Sequence, residues 1–114
     1  MGVFDGLRVV EFATGMAGPM AGMVLADYGA EVIKVEPPEG DVFRTAGPCV
    51  HTGMGAVYLN LNRNKRSVVL DLHQHADQAI LHRMVAGCDV LVHSIRSDAA
   101  RRMGIAWETL APLN

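Results

Sequence analysis

Leu7-Arg8-Val9-Val10-Glu11-Phe12, then Ala13-Thr14-Gly15-Met16-Ala17-Gly18-Pro19, then a helical stretch ending at Gly29 and Glu31-Val32-Ile33-Lys34-Val35-Glu36 make up one strand, turn, helix, strand unit. The two flanking runs are short and β-branched, and the segment after the first is rich in breakers. Between them Ala17, Met20, Ala21, Val24, Leu25 and Tyr28 recur at helical spacing, which predicts an amphipathic helix with that face on a sheet. Pro19 suits the first turn of a helix, and Gly29 stands where a left-handed C-terminal cap is expected. The pattern is a βαβ unit.

Working outward, Met1 to Gly6 reads as a lead-in, and residues 37–56 as a long loop containing Pro37, Pro38 and Pro48. Loops of that length in a compact domain are either functional or disordered. Ala56 to Leu59 fits a short helix or a strand. Asn62-Arg63-Asn64-Lys65-Arg66 reads as a basic turn before a third strand, Ser67 to Leu72. From His75 to Ala86, Ile80, Leu81, Met84, Val85 and, one turn on, Cys88 recur at helical spacing opposite Gln78, His82 and Arg83; Gly87 ends the helix. Asp89 to His93 predicts a strand buried on both faces, Ser97 to Gly104 a short helix, and Ala106 to Leu110 a further helical turn. Strands alternating with helices give an α/β fold with a mainly parallel sheet, whose ligands bind at strand carboxyl ends near a switch in strand order. The candidate site therefore comprises residues 13–19, 37–46, 71–76 and 93–102.

A chain of 114 residues is the size of one domain, and 10 Lys plus Arg against 12 Asp plus Glu leaves no basic footprint for nucleic acid or an anionic membrane. Cys49 and Cys88 have no CxxC spacing and read as reduced thiols, with Cys88 a small core residue. No apolar run approaches a membrane span, and no signal-peptide layout is present, so a cytoplasmic protein is expected.

Three motifs carry chemistry. The Gly15-Met16-Ala17-Gly18-Pro19 turn follows a strand and opens a helix, so it is either an anion- or cofactor-binding turn or a tight structural one; it lacks GxGxxG spacing. The cations of residues 62–66 are either phosphate ligands or a solvated turn. Asp71, His73 and His75 alternate as metal ligands can, but without a further cluster no metal site is expected. His51, His82 and His93 have no readable nucleophile partner.

Read together, these motifs resemble the class III CoA-transferases, the family of the formyl-CoA and carnitine-CoA transferases and the α-methylacyl-CoA racemases. The resemblance is carried by Leu7 to Glu11, Ala17-Gly18-Pro19, Leu25 to Pro38, Gly40-Asp41, Asn62 to Leu72, Asp89 to Val92 and Arg101 to Gly104. It implies that residues 1–114 are the N-terminal segment of a large, Rossmann-like CoA-binding domain, an incomplete part of a protein whose two copies interlock as a homodimer. It implies a transferase moving CoA between an acyl-CoA and a carboxylic acid through an enzyme-carboxylate thioester, with coenzyme A as substrate and no covalently held cofactor. The alternatives are an acyl-CoA racemase, or a non-catalytic CoA-binding module needing a partner chain. By the resemblance Met16, Ala17 and Gly18 lie near the thioester, Leu70, Asp71, Leu72 and His73 along the adenosine, Ser94, Ile95 and Arg96 beside the pantetheine and diphosphate, and Arg102 on a phosphate. The family's nucleophilic Asp falls beyond Asn114, so no catalytic residue is assigned among Asp41, Asp71, Asp77 and Asp89, and the segment alone is expected to be inactive.

Overall fold

A computed structural model describes residues 1–114 and contains four strands, β1 (Arg8–Phe12), β2 (Glu31–Glu36), β3 (Lys65–Val69) and β4 (Val90–His93). All pair in parallel, in the order β3-β2-β1-β4. The helices are α1 (Ala17–Asp27), α2 (Ala56–Leu61), α3 (His75–Ala86), α4 (Ser97–Arg102) and α5 (Trp107–Leu110). Because β2 lies on one side of β1 and β4 on the other, the strand order reverses beside β1. That reversal is where an open α/β sheet presents a crevice.

The period of the strands divides their side chains between two faces. Val10, Phe12 and Val35 enter the larger core with Leu70, Leu72, Leu81, Val85, Cys88, Ala100, Ile105 and Leu110, covered by α3, α4 and α5. Leu81, Val85 and Cys88 are buried there at the spacing expected of α3. Gln78 and His82, on its flank, hold the segments on either side of it: Gln78 Nε2 donates to the Leu72 carbonyl at 2.7 Å, and His82 Nε2 lies 2.7 Å from the Gly104 carbonyl oxygen. On the opposite face Val9, Val32, Ala26 and Ala30 form a small core beneath α1.

Helix α1 is rotated from the expected orientation. Its buried residues are Pro19, Gly22 and Ala26, while Ala17, Met20, Ala21, Val24 and Tyr28 point outward and Leu25 is half-buried. The cause lies beneath it, where Glu11 and Lys34 occupy the sheet face. A Cβ on Gly22 would stand 2.0 Å from Glu11 Oε2, so only a seam of small residues lets the helix approach. The stop at Gly29 is as expected: with φ +107° it donates to the Ala26 carbonyl while Ala30 donates to that of Leu25, the two bonds of a Schellman cap.

Other boundaries also shift. Strand β3 begins inside the expected basic turn, because Lys65 and Arg66 pair with Val32 and Ile33 of β2, and it ends at Val69, leaving Leu70 to Leu72 beyond it. Ala56 to Leu59 resolves as helix. The strand expected to be buried on both faces, β4, is an edge of this sheet and its apolar residues are half-buried. The 37–56 segment is irregular apart from a 3-10 turn at Val42–Arg44 and a bridge between Cys49 and Gly55.

Candidate functional site

At the carboxyl ends of the strands the chain leaves a cleft of about 310 Å³. Phe12 and Thr14 after β1, Pro37 to Glu39 after β2, Leu70 to His73 after β3, and Ile95 and Met103 beyond β4 form its walls. Leu70 and Leu72 are buried in its floor, whereas His73 is exposed at its rim. The Asp71 carboxylate caps its own loop through the His73 amide at 3.1 Å, and Asp77 Oδ2 accepts the Asp71 amide at 2.7 Å. The cleft thus brings together Leu70, Asp71, Leu72, His73 and Ile95. Ser94, Arg96 and Arg102 are exposed outside its lining, each beside a lining residue or one position from it. Met16, Ala17 and Gly18 stand at the start of α1, the first two exposed. A Cβ on Gly18 would meet the Ala13 Cβ at 2.3 Å, so the turn is folded tightly on itself.

Charge pairing separates the cations into two sets. Lys34, Arg44, Arg63, Lys65, Arg66 and Arg101 each hold a carboxylate. Arg63 pairs with Asp27 at 2.6 Å and Arg66 with Glu31 at 2.8 Å, so the basic turn of residues 62–66 serves the fold at the amino ends of the strands. The pair of Asp27 and Arg63 lowers the Asp27 carboxyl below its ordinary range. Arg8, Arg83, Arg96 and Arg102 have no carboxylate partner; Arg96 precedes α4 and Arg102 is its last residue, next to the cleft-lining Ile95 and Met103 respectively. An exposed guanidinium without an internal partner is available to a phosphate.

Beside the cleft, on the α1 face of the sheet, lies a buried polar network that no motif of the sequence announces. Lys34 Nζ donates to Glu11 Oε1 at 3.0 Å and lies 3.0 Å from Asp41 Oδ2, an ion contact outside hydrogen-bonding geometry. Beside it, Glu36 accepts Arg44 through Nε and Nη2, both at 2.7 Å, the Tyr58 hydroxyl at 2.6 Å, the Ser67 hydroxyl at 2.9 Å and the Asp41 amide at 3.1 Å. Burial alone would raise the Glu36 carboxyl, yet the bonds from Arg44, Tyr58, the Asp41 amide and Ser67 prevail and bring it down to about 2. Burial, followed by the bond to Glu36, pushes the Tyr58 hydroxyl well up. These bonds fasten the 37–56 segment to the sheet beside the cleft. The sequence carries a signal for part of this: Glu11 and Lys34 share the phase of core residues Val9 and Val32, and two opposite charges inside buried parallel strands need each other.

Residues 4–114 match the profile of CoA-transferase family III. Among similar proteins are a succinyl-CoA–D-citramalate CoA-transferase of Chloroflexus aurantiacus, 40% identical over 111 residues, and a succinate–glutarate CoA-transferase of Agrobacterium fabrum, 43% identical over 117. Each alignment covers 96% of this chain and respectively 28% and 29% of the relative, so the chain spans less than a third of their length. Among solved structures, a CAIB/BAIF family protein from Brucella suis superposes with a TM-score of 0.93 at 38% identity, covering 99% of this chain and 31% of that one. A Mycobacterium tuberculosis protein gives 0.89 at 35% identity, covering 100% and 31%.

Proposed function

The chain belongs to CoA-transferase family III, and on that premise we propose that the full-length protein moves CoA from an acyl-CoA to a carboxylic acid, with residues 1–114 supplying part of the CoA site. The observation that carries this reading is the cleft at the strand carboxyl ends, whose neighbouring cations, Arg96 and Arg102, alone at that end have no carboxylate partner. A CoA nucleotide there has its adenosine along Leu70 to His73, its pantetheine and diphosphate arm beside Ser94, Ile95 and Arg96, a phosphate on Arg102, and its thioester toward Met16, Ala17 and Gly18. The two relatives are named for CoA transfer between succinyl-CoA and D-citramalate and between succinate and glutarate, which supports an acyl-CoA and a carboxylate as the substrates. The attacking carboxylate belongs to the remainder of the protein. It takes the acyl group as a mixed anhydride and releases CoA thiolate; the thiolate attacks the enzyme carbonyl of that anhydride, giving an enzyme thioester and freeing the donor acid. The acceptor carboxylate attacks the thioester, forming a second anhydride and expelling the thiolate, which takes the acceptor acyl group as acyl-CoA and regenerates the enzyme carboxylate. An interlocked homodimer and a cytoplasmic setting belong to the same proposal.

The test is a CoA-exchange assay on the full-length protein, with an acyl-CoA donor and isotopically labelled acids. Labelled acyl-CoA formed mole for mole with released donor acid is the expected result; no exchange, or hydrolysis alone, overturns the reading. The 114-residue segment by itself is expected to give no turnover, and turnover by it would place the nucleophile within these residues.

A further inference from the structure

The Ala13–Pro19 turn has no side chain capping the helix that follows it; Met16 occupies the N-cap position. Its two ends are held instead by buried lysines. Lys34 Nζ donates to the Ala13 carbonyl at 2.8 Å, and Lys65 Nζ, reaching from the start of β3, donates to the Pro19 carbonyl at 2.7 Å. Glu11 joins the two, with Oε1 on Lys34 at 3.0 Å and Oε2 on Lys65 at 2.6 Å. The three side chains are 2% exposed or less, so water offers none of them an alternative partner. Asn62 Oδ1 accepts the third Lys65 proton at 2.9 Å, which satisfies that ammonium completely.

Buried ion pairs contribute weakly to stability compared with apolar packing, because both charges must leave water. What this cluster does achieve is geometric: one carboxylate and two ammoniums fix the points where β1 ends and α1 begins. We propose that Lys34 and Lys65, joined through Glu11, are positioning residues that clamp both ends of the Ala13–Pro19 turn and so hold Met16, Ala17 and Gly18 in the shape that receives the CoA thioester. The CoA clause rests on the functional reading above; the clamp stands on its own geometry.

The test is amide hydrogen exchange on the full-length protein, wild type against the Glu11→Gln/Lys65→Met double variant. That variant keeps the Lys34 bond to Ala13 and its contact with Asp41, and removes the Lys65 bonds to Pro19 and to the Asn62 side chain. Amides of Met20 to Met23, which close the first turns of α1, should exchange roughly tenfold or more faster, the effect of losing one charged hydrogen bond, while Val32 to Val35 and Leu81 to Val85 stay unchanged. Equal exchange at Met20 to Met23, or a uniform acceleration, overturns the clamp. Should the variant not fold, the wild type decides: Met20 to Met23 as slow as Val24 to Asp27 supports the clamp, and fraying at that end overturns it. A CoA titration of the same proteins separates the two readings. At least tenfold weaker binding by the variant supports positioning for CoA, and an unchanged affinity overturns it; a wild type that binds no CoA overturns the functional reading and leaves the exchange data to decide the clamp.

Discussion

Replacing Glu36 by Gln removes the one charge on which Arg44, Tyr58, Ser67 and the Asp41 amide converge. With the folded carboxyl at about 2 and an ordinary value of 4.5, ionised Glu36 favours the folded state by about 3 kcal/mol at neutral pH, at about 1.4 kcal/mol per unit. The folded value is the depressed one, so this stability is complete above pH 4.5 and is lost as the pH falls toward 2. Between pH 7 and pH 3 the loss from this group alone is about 2 kcal/mol. Urea denaturation at several pH values, wild type against Glu36→Gln, should show a variant weaker by about 3 kcal/mol at pH 7 but flatter by about 2 kcal/mol down to pH 3. Arg44 is 30% exposed and can turn to water, which keeps the cost at the lower end of that for breaking a buried pair. Parallel curves for the two proteins would refute the assignment of the acid-sensitive charge to Glu36.

Gly22→Ala forces a methyl onto Glu11 Oε2 and lifts α1, which should cost about 1–3 kcal/mol and lower the melting temperature; an unchanged melting temperature would show slack between helix and sheet. Val24→Ser, on the outward stripe of α1, should change the stability of residues 1–114 by less than about 0.5 kcal/mol in a denaturant titration, whereas a loss of several kcal/mol would mean that the helix is turned the other way. Leu81→Ala, at 0% exposure under the sheet, should cost about 2–5 kcal/mol in the same titration. Thiol labelling under native conditions should modify exposed Cys49 rapidly and Cys88 slowly, since burial and then the Asp89 charge hold the Cys88 thiol above its ordinary value; equal rates would contradict that burial.

The βαβ unit was legible because its strands, its breaker-rich turn and its Gly29 stop each follow from local chemistry, and α3 because its apolar spacing has one outcome against a sheet. The cleft-lining segments after β1, β3 and β4 followed from the rule that parallel strands present ligands at their carboxyl ends. The orientation of α1 was not legible. Apolar periodicity identifies a stripe without saying what lies opposite it, and here a buried carboxylate and two lysines admit only Pro19, Gly22 and Ala26. Lys65 reads as a cation of the basic turn because its partner, Glu11, is 54 residues away.

Period, turn residues and chain direction are enough to give the main elements in order, the α/β class and the end of the sheet at which the cleft opens. Only the tertiary structure decided which charges are buried, which cations remain without a partner and which face of α1 meets the sheet. Those outcomes depend on side chains from distant strands competing for one desolvated volume, and no local pattern encodes that competition.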